Sequence, residues 1–237
     1  MKGYFVYQSL SYLRSLKWIP PVVLYFIWVF IFYTYRGVPI LSSYGVTSTV
    51  LLFISTWMTM GIFSIDNETE KQLLFVQLSS KLRYIYGKWC VCFFLATSLI
   101  IFSIFYPILI QAFNSPMKLI HYSFSLYGHC YFVLTGIFVG SLFSVTALAE
   151  KRYSWLGAML VNIISITSEG MIEKFTSLKW PLFLFPPIGK LLEYFQSEDE
   201  IVLKNDVVLL IFGGGGSVIY ISLGFLLIIK LFLQKER

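Results

Sequence analysis

The sequence predicts an all-α membrane protein. It comprises six transmembrane helices with an N-terminal amphipathic interface helix, and both termini lie on the cytoplasmic side. Three observations predict this. Hydrophobic residues make up 57% of the 237 residues and charged residues 13%, whereas a soluble domain carries roughly 25% charge. Such a chain cannot cover itself against water, so lipid is its main solvent. Six apolar runs recur along it, each near the roughly 20 residues that cross the hydrocarbon. Of the 18 basic residues, only Arg36, Lys118, Lys174, Lys179, Lys190 and Lys204 fall on the side opposite the termini. The other twelve lie on the side of the two ends, which the basic-residue rule assigns to the cytoplasm.

Residues 1–18 form the first unit. Val6, Leu10, Leu13 and Leu16 are spaced four, three and three apart, one face of a helix, while Lys2, Gln8, Ser11, Ser15 and Lys17 fall largely elsewhere. This pattern predicts a helix lying in the interface, its basic side chains toward lipid head groups. The six-span domain, 19–237, follows. Span 1 covers about 19–35 and opens with Pro20-Pro21, where proline costs little. Arg36-Gly37-Val38-Pro39 makes a turn, and span 2 covers about 44–65. A polar loop, 66–88, leads to span 3 at about 89–113, in which Pro107 predicts a kink. Spans 4 and 5, about 126–148 and 154–171, flank a tight turn at Glu150-Lys151-Arg152. A loop at 172–206 contains Pro181, Pro186 and Pro187. It is too apolar for a free loop and too short for two spans, which predicts a pair of short helices dipping into the outer leaflet. Span 6 covers about 207–233.

The net charge of +6 is what topology alone places beside membrane spans; membrane lipid is the expected partner of these residues, and nucleic acid is not. The three cysteines, Cys90, Cys92 and Cys130, show no paired metal spacing and read as small buried hydrophobes. The first apolar run lacks a small-residue cleavage site and reads as a span, not a removed signal. No G-x-S-x-G or H-E-x-x-H pattern occurs. His121 and His129 read as polar anchors near the outer end of span 4. The acidic groups Glu198-Asp199-Glu200 and Asp66/Glu68/Glu70 read as solvated faces. Gly213–Gly216 lies inside a span with no lysine after it, so it reads as a site of close helix approach or a flexible point. No phosphate-binding G-x-x-x-x-G-K-[ST] is present; if ATP powers this chain, another polypeptide brings the ATPase. Asn162, Gln111 and Glu169 are the main polar exceptions within the spans, and Asn162 predicts an interhelical hydrogen bond. Tyrosines and tryptophans near span ends, among them Trp89 and Trp180, read as an interfacial belt.

The most informative stretch is 66–88. It opens with Asp66, Glu68 and Glu70, continues through Leu73, Leu74, Phe75 and Leu78, and closes with Lys81, Arg83 and Lys88. Acids at its start and bases at its end suit a helix dipole. Its leucines could bury a face against a protein, or it could remain a solvated loop or rest on lipid; Lys88 could anchor span 3 to head groups. The run FSIDNETEKQLLFVQLSSKLRYIYGKW resembles the loop between the second and third spans of ABC-2 type transporter permeases. An acidic residue follows span 2, Glu70 precedes the pair Leu73-Leu74, and Tyr84 precedes Gly87-Lys88. Lys71-Gln72 stands where that family usually has a basic residue and glycine.

The resemblance implies the membrane subunit of a bacterial ABC exporter in the plasma membrane. Loop 66–88 would couple to a separate ATPase through Glu68, Glu70, Leu73, Leu74, Leu78 and Arg83. It implies no cofactor on this chain, ATP-Mg on the partner ATPase, and a second permease copy or paralogue completing the path. By analogy the substrate is an antimicrobial peptide or similar amphiphile, moved in export or self-immunity. A membrane immunity or accessory protein that acts by binding is the alternative, and an intramembrane enzyme a third.

Overall fold

The structure is a computed structural model. It describes residues 1–146, 152–196 and 207–236, with side chains of the last helix described from Gly216 onward. Glu150-Lys151, Glu198-Asp199-Glu200 and the surroundings of Gly213, Gly214 and Gly215 lie outside the described residues.

The described chain is helical: α1 (Lys2–Arg14), α2 (Ile19–Phe32), α3 (Ile40–Phe63), α4 (Glu68–Leu78), α5 (Lys81–Leu109), α6 (Leu119–Val145), α7 (Ser154–Lys174), α8 (Lys179–Leu182), α9 (Ile188–Gln196) and α10 (Val207–Lys235). One isolated bridge, Val38 to Phe113, ties the turn after α2 to the end of α5. Among the described residues, five helices are long and apolar enough to cross a membrane: α3, α5, α6, α7 and the Gly216–Lys235 part of α10. A sixth is reached if α1 and α2, bent by 75° at their junction, count as one. At 1.5 Å per residue the 14 residues of α2 rise only about 21 Å, against a hydrocarbon core of roughly 30 Å.

Several boundaries differ from those expected. α5 starts at Lys81, so the last third of the expected loop is helix. It ends at Leu109, two residues past Pro107, because Gln111 adopts φ 53 and turns the chain. α6 starts at Leu119, seven residues early, where His121 Nδ1 accepts the Lys118 amide at 3.1 Å. Helices do fill the expected loop after α7: a 3-10 turn at Thr176–Leu178, then α8 and α9. α9 turns Ile188, Leu191 and Phe195 inward, and Phe195 wedges against Gly45 of α3 and Gly128 of α6.

The core is the α3–α6 pair. A Cβ at Gly136 would meet the Ser55 hydroxyl oxygen at 2.0 Å, and one at Gly140 would meet the Thr56 carbonyl at 2.8 Å. These glycines, four apart and on one helix face, let the backbones approach as small residues do in membranes. The facing hydroxyls are satisfied within their own helix: Thr56 donates to the Leu52 carbonyl at 2.8 Å and Thr59 to that of Ser55 at 2.7 Å. None is left bare in a medium without water. Asn162 of α7 donates to Thr56 Oγ1 at 3.0 Å, the interhelical bond its position predicted. We expect Gly140→Val to lower stability by about 1–3 kcal/mol in a thermal melt in detergent, and Gly170→Ala, where nothing lies within 4 Å, to change it little. Equal melting of the two variants would refute the close approach.

Three expectations about polar and aromatic residues are corrected here. His121 and His129 are not surface anchors but buried. His129 sits between Thr47 Oγ1 (3.2 Å) and the Ser125 carbonyl (2.8 Å), because α6 is the inner helix of the bundle. Trp89 does not stand in the belt alone; its indole donates to Ser141 Oγ at 2.9 Å, and its ring packs on Phe225.

Candidate functional site

The informative segment folds as α4 and the first two turns of α5, with α1 laid across them. α4 begins after Asn67, whose backbone is extended, and carries Glu68 and Glu70 in its first turn, where the helix dipole favours acids. It ends at Ser79, in the left-handed region at φ 54. Arg83, from the next helix, donates to the Leu78 carbonyl at 3.2 Å and satisfies an end group of α4.

The apolar residues of α4 do not form the single outward face that the sequence suggested. Leu74 and Phe75 are buried, packed in a cluster with Tyr4, Tyr84 and Ile85. Leu73 and Val76 point outward, 54% and 80% exposed, and Leu78 is half-buried. The reason is the helical start of α5: it brings Tyr84 and Ile85 back beneath α4, which a plain loop could not.

Between α1 and α4 runs a groove of about 480 Å³, lined by Gly3, Tyr4 and Tyr7 on one side and Glu70, Leu73, Leu74, Gln77 and Leu78 on the other. Tyr7 donates to Glu70 across it, and that bond raises the Tyr7 pKa above its ordinary value. Four of the expected residues, Glu70, Leu73, Leu74 and Leu78, therefore line one concavity, with Leu74 as its floor. Glu68 stands apart from it, 74% exposed, 3.8 Å from Lys71. Arg83 serves the α4 terminus. The groove also needs Tyr4 and Tyr7, which the sequence reading did not include.

Below the groove lies a buried charge pair. Lys88 Nζ and Asp66 Oδ2 are 2.9 Å apart, with side chains 0% and 1% exposed. Lys88 also donates to the Ile62 carbonyl at 2.7 Å. Asp66 accepts from the Tyr84 hydroxyl at 2.9 Å and from Gln8 Nε2 at 3.1 Å. Lys88 is thus no head-group anchor, and Asp66 is no part of a solvated face. Gly87 belongs to the same device: a Cβ there would meet the Tyr4 ring at 2.3 Å, so glycine admits α1 onto α5. Tyr84 and Lys88 are four apart, on one face of a helix; that spacing would have revealed the cluster had the helix been started at Lys81. A hydrogen-bonded pair of this kind fixes the geometry of α1, the α3–α4 corner and α5. The site holds a concavity with an apolar floor above a buried, hydrogen-bonded charge pair.

Compared with protein-family models, curated proteins and solved structures, the chain matches none of them.

Proposed function

We propose that this chain is the permease subunit of an ATP-driven exporter of the ABC-2 type, energised by a separate ATPase that docks on the α1–α4 groove. The observation that carries this reading is the groove itself. The residues through which segment 66–88 resembles those permeases, Glu70 and Leu73-Leu74, line it, while Tyr84 and Gly87-Lys88 build its base. ATP-Mg would bind the partner, and a second copy or a paralogue of this chain would complete the path.

In this reading α2 is a short first span, giving six, and both termini are cytoplasmic. α1 lies in the interface: Val6, Leu10 and Leu13, on the face predicted for lipid, are 52%, 45% and 41% exposed, while Tyr4, Gln8 and Tyr12 turn inward. Reporter fusions after residues 40, 76, 120, 152, 190 and 237 should alternate out, in, out, in, out, in. A cytoplasmic reporter at 190 would break the topology.

The substrate we propose is amphiphilic, because the spans offer aromatic and small hydroxyl side chains and hardly any charge, whereas a small ion needs dedicated polar ligands. The deciding experiment is reconstitution with a separate ABC ATPase captured by this chain. ATP-dependent clearance of a membrane-active peptide from proteoliposomes is expected. No capture of any such ATPase, and no ATP-dependent movement across a broad panel of amphiphiles, would sink the proposal and leave binding-only immunity.

A further inference from the structure

On the side away from the groove, α4 is held by the end of α10. Lys71 pairs with the carboxylate of Glu236, and Lys81 Nζ donates to the Glu236 main-chain carbonyl at 2.5 Å. The Lys71–Glu236 pair is largely shielded, its side chains 15% and 8% exposed. The Lys71 ammonium also lies 5.7 Å from the ring centroids of both Phe75 and Phe232. Phe232 in turn packs edge-on against Phe75 at 6.0 Å and stacks on Tyr84 at 6.3 Å. Ionic, main-chain and aromatic contacts thus fasten α10 to α4 and to the start of α5 together. No such attachment follows from connectivity, since α4 is joined covalently only to α3 and α5.

The same helix is fastened again near its middle. The Tyr220 hydroxyl donates to the Leu184 carbonyl at 2.5 Å, just after α8. From Tyr220 to Glu236 a helix climbs about 24 Å at 1.5 Å per residue, most of the hydrocarbon thickness. Between the two ends α10 packs on α6 and α5, with Gly224 against Phe138 and Phe225 on Trp89. Around the carbonyl that Tyr220 holds, Trp180, Phe183 and Leu184 are each about four-fifths exposed or more, while Leu182 is buried. The stretch from Tyr220 to Glu236, a stiff helix with a polar fastening at each end, has the form of a strut. A rigid secondary element engaged at both ends of a stretch is one physical means of carrying coupling over such distances.

We infer that α10 carries displacement of α4 to the chain around Leu184, on the opposite side of the bundle. The inference holds whatever partner moves α4, so it does not depend on the ATPase reading. When α4 shifts away from α10, the Lys71 and Lys81 contacts break and the far end loses its fixed reference; when they hold, Leu184 follows.

The test is amide hydrogen exchange of the full chain in lipid nanodiscs. Lys71→Glu and Glu236→Lys should each speed exchange in α4 by about tenfold and at residues 182–185 severalfold. The exchanged pair, Lys71→Glu with Glu236→Lys, should restore both regions, which a merely disruptive change would not do. Tyr220→Phe should speed 182–185 alone and leave α4 unchanged. If charge reversal prevents folding, Glu236→Gln, which keeps the side-chain shape, takes its place with the same expected pattern. Faster exchange in α4 with none at 182–185, or failure of the exchanged pair to restore the far end, overturns the strut. No readout involves transport, so the strut and the proposed function can fail separately.

Discussion

Replacing Lys88 by alanine should cost the folded protein about 3–5 kcal/mol, the penalty for leaving a buried charge without its partner. The Asp66 side chain is 1% exposed and would keep only the Tyr84 and Gln8 bonds, neither of which neutralises it. The Ile62 carbonyl would lose its donor as well. The double variant Asp66→Asn/Lys88→Met should recover most of that loss, because two neutral side chains of similar volume leave no naked charge. Denaturation in detergent, followed by the fraction of monodisperse protein, separates the two variants. A Lys88→Ala protein within 0.5 kcal/mol of the parent would mean that the pair is solvated and that α1 is not pinned to the α3–α4 corner. A structural lysine of this kind also predicts more than lost stability. α1 should become protease-sensitive together with the start of α5, since Gln8 and Tyr84 meet at the same carboxylate.

The second large effect separates docking from folding. Leu73 lines the groove and Val76 stands on the exposed surface of α4 outside it, so Leu73→Asp/Val76→Asp should leave the fold intact while removing the exposed apolar side chains that α4 offers a partner. Truncating a central interface residue typically costs about 2 kcal/mol or more, roughly a thirtyfold loss of affinity. Capture of the ATPase should fall by at least that factor, and transport with it. Leu74→Asp is a poorer probe, although Leu74 lines the same groove. Its side chain is 6% exposed in the cluster with Phe75, Tyr84 and Ile85, so an aspartate there should destabilise the protein itself by several kcal/mol. Glu68→Ala, at an exposed position, should change binding by roughly 0–1 kcal/mol. Undiminished ATPase capture by the folded Leu73/Val76 variant would remove the groove from the coupling path.

The membrane class and the helical content follow from the sequence alone, because they rest on sums and periods. Too little charge to face water is a property of composition, and runs such as 89–109 or 126–145 read as helix wherever they pack. The Val6, Leu10 and Leu13 stripe of α1 is a local pattern too, and in the structure it faces outward as its period demands. Pairing across the fold is another matter. Whether Asp66 is solvated or buried depends on Lys88 arriving opposite it, 22 positions along, which requires the helical start of α5 at Lys81. Whether Leu74 is a docking residue or a groove floor depends on Tyr84 and Ile85 turning back beneath it. His129 looks like a surface anchor until α6 becomes the central helix. The Gly136–Gly140 contact was written in the sequence as two glycines four apart, yet its partner face on α3, with Ser55 and Thr56, is not adjacent in the chain. Local chemistry therefore determined which residues are helical and which prefer lipid. Tertiary packing decided which of the remaining polar and apolar side chains meet, because a burial or a charge pair is settled by both partners and only folding brings the second one.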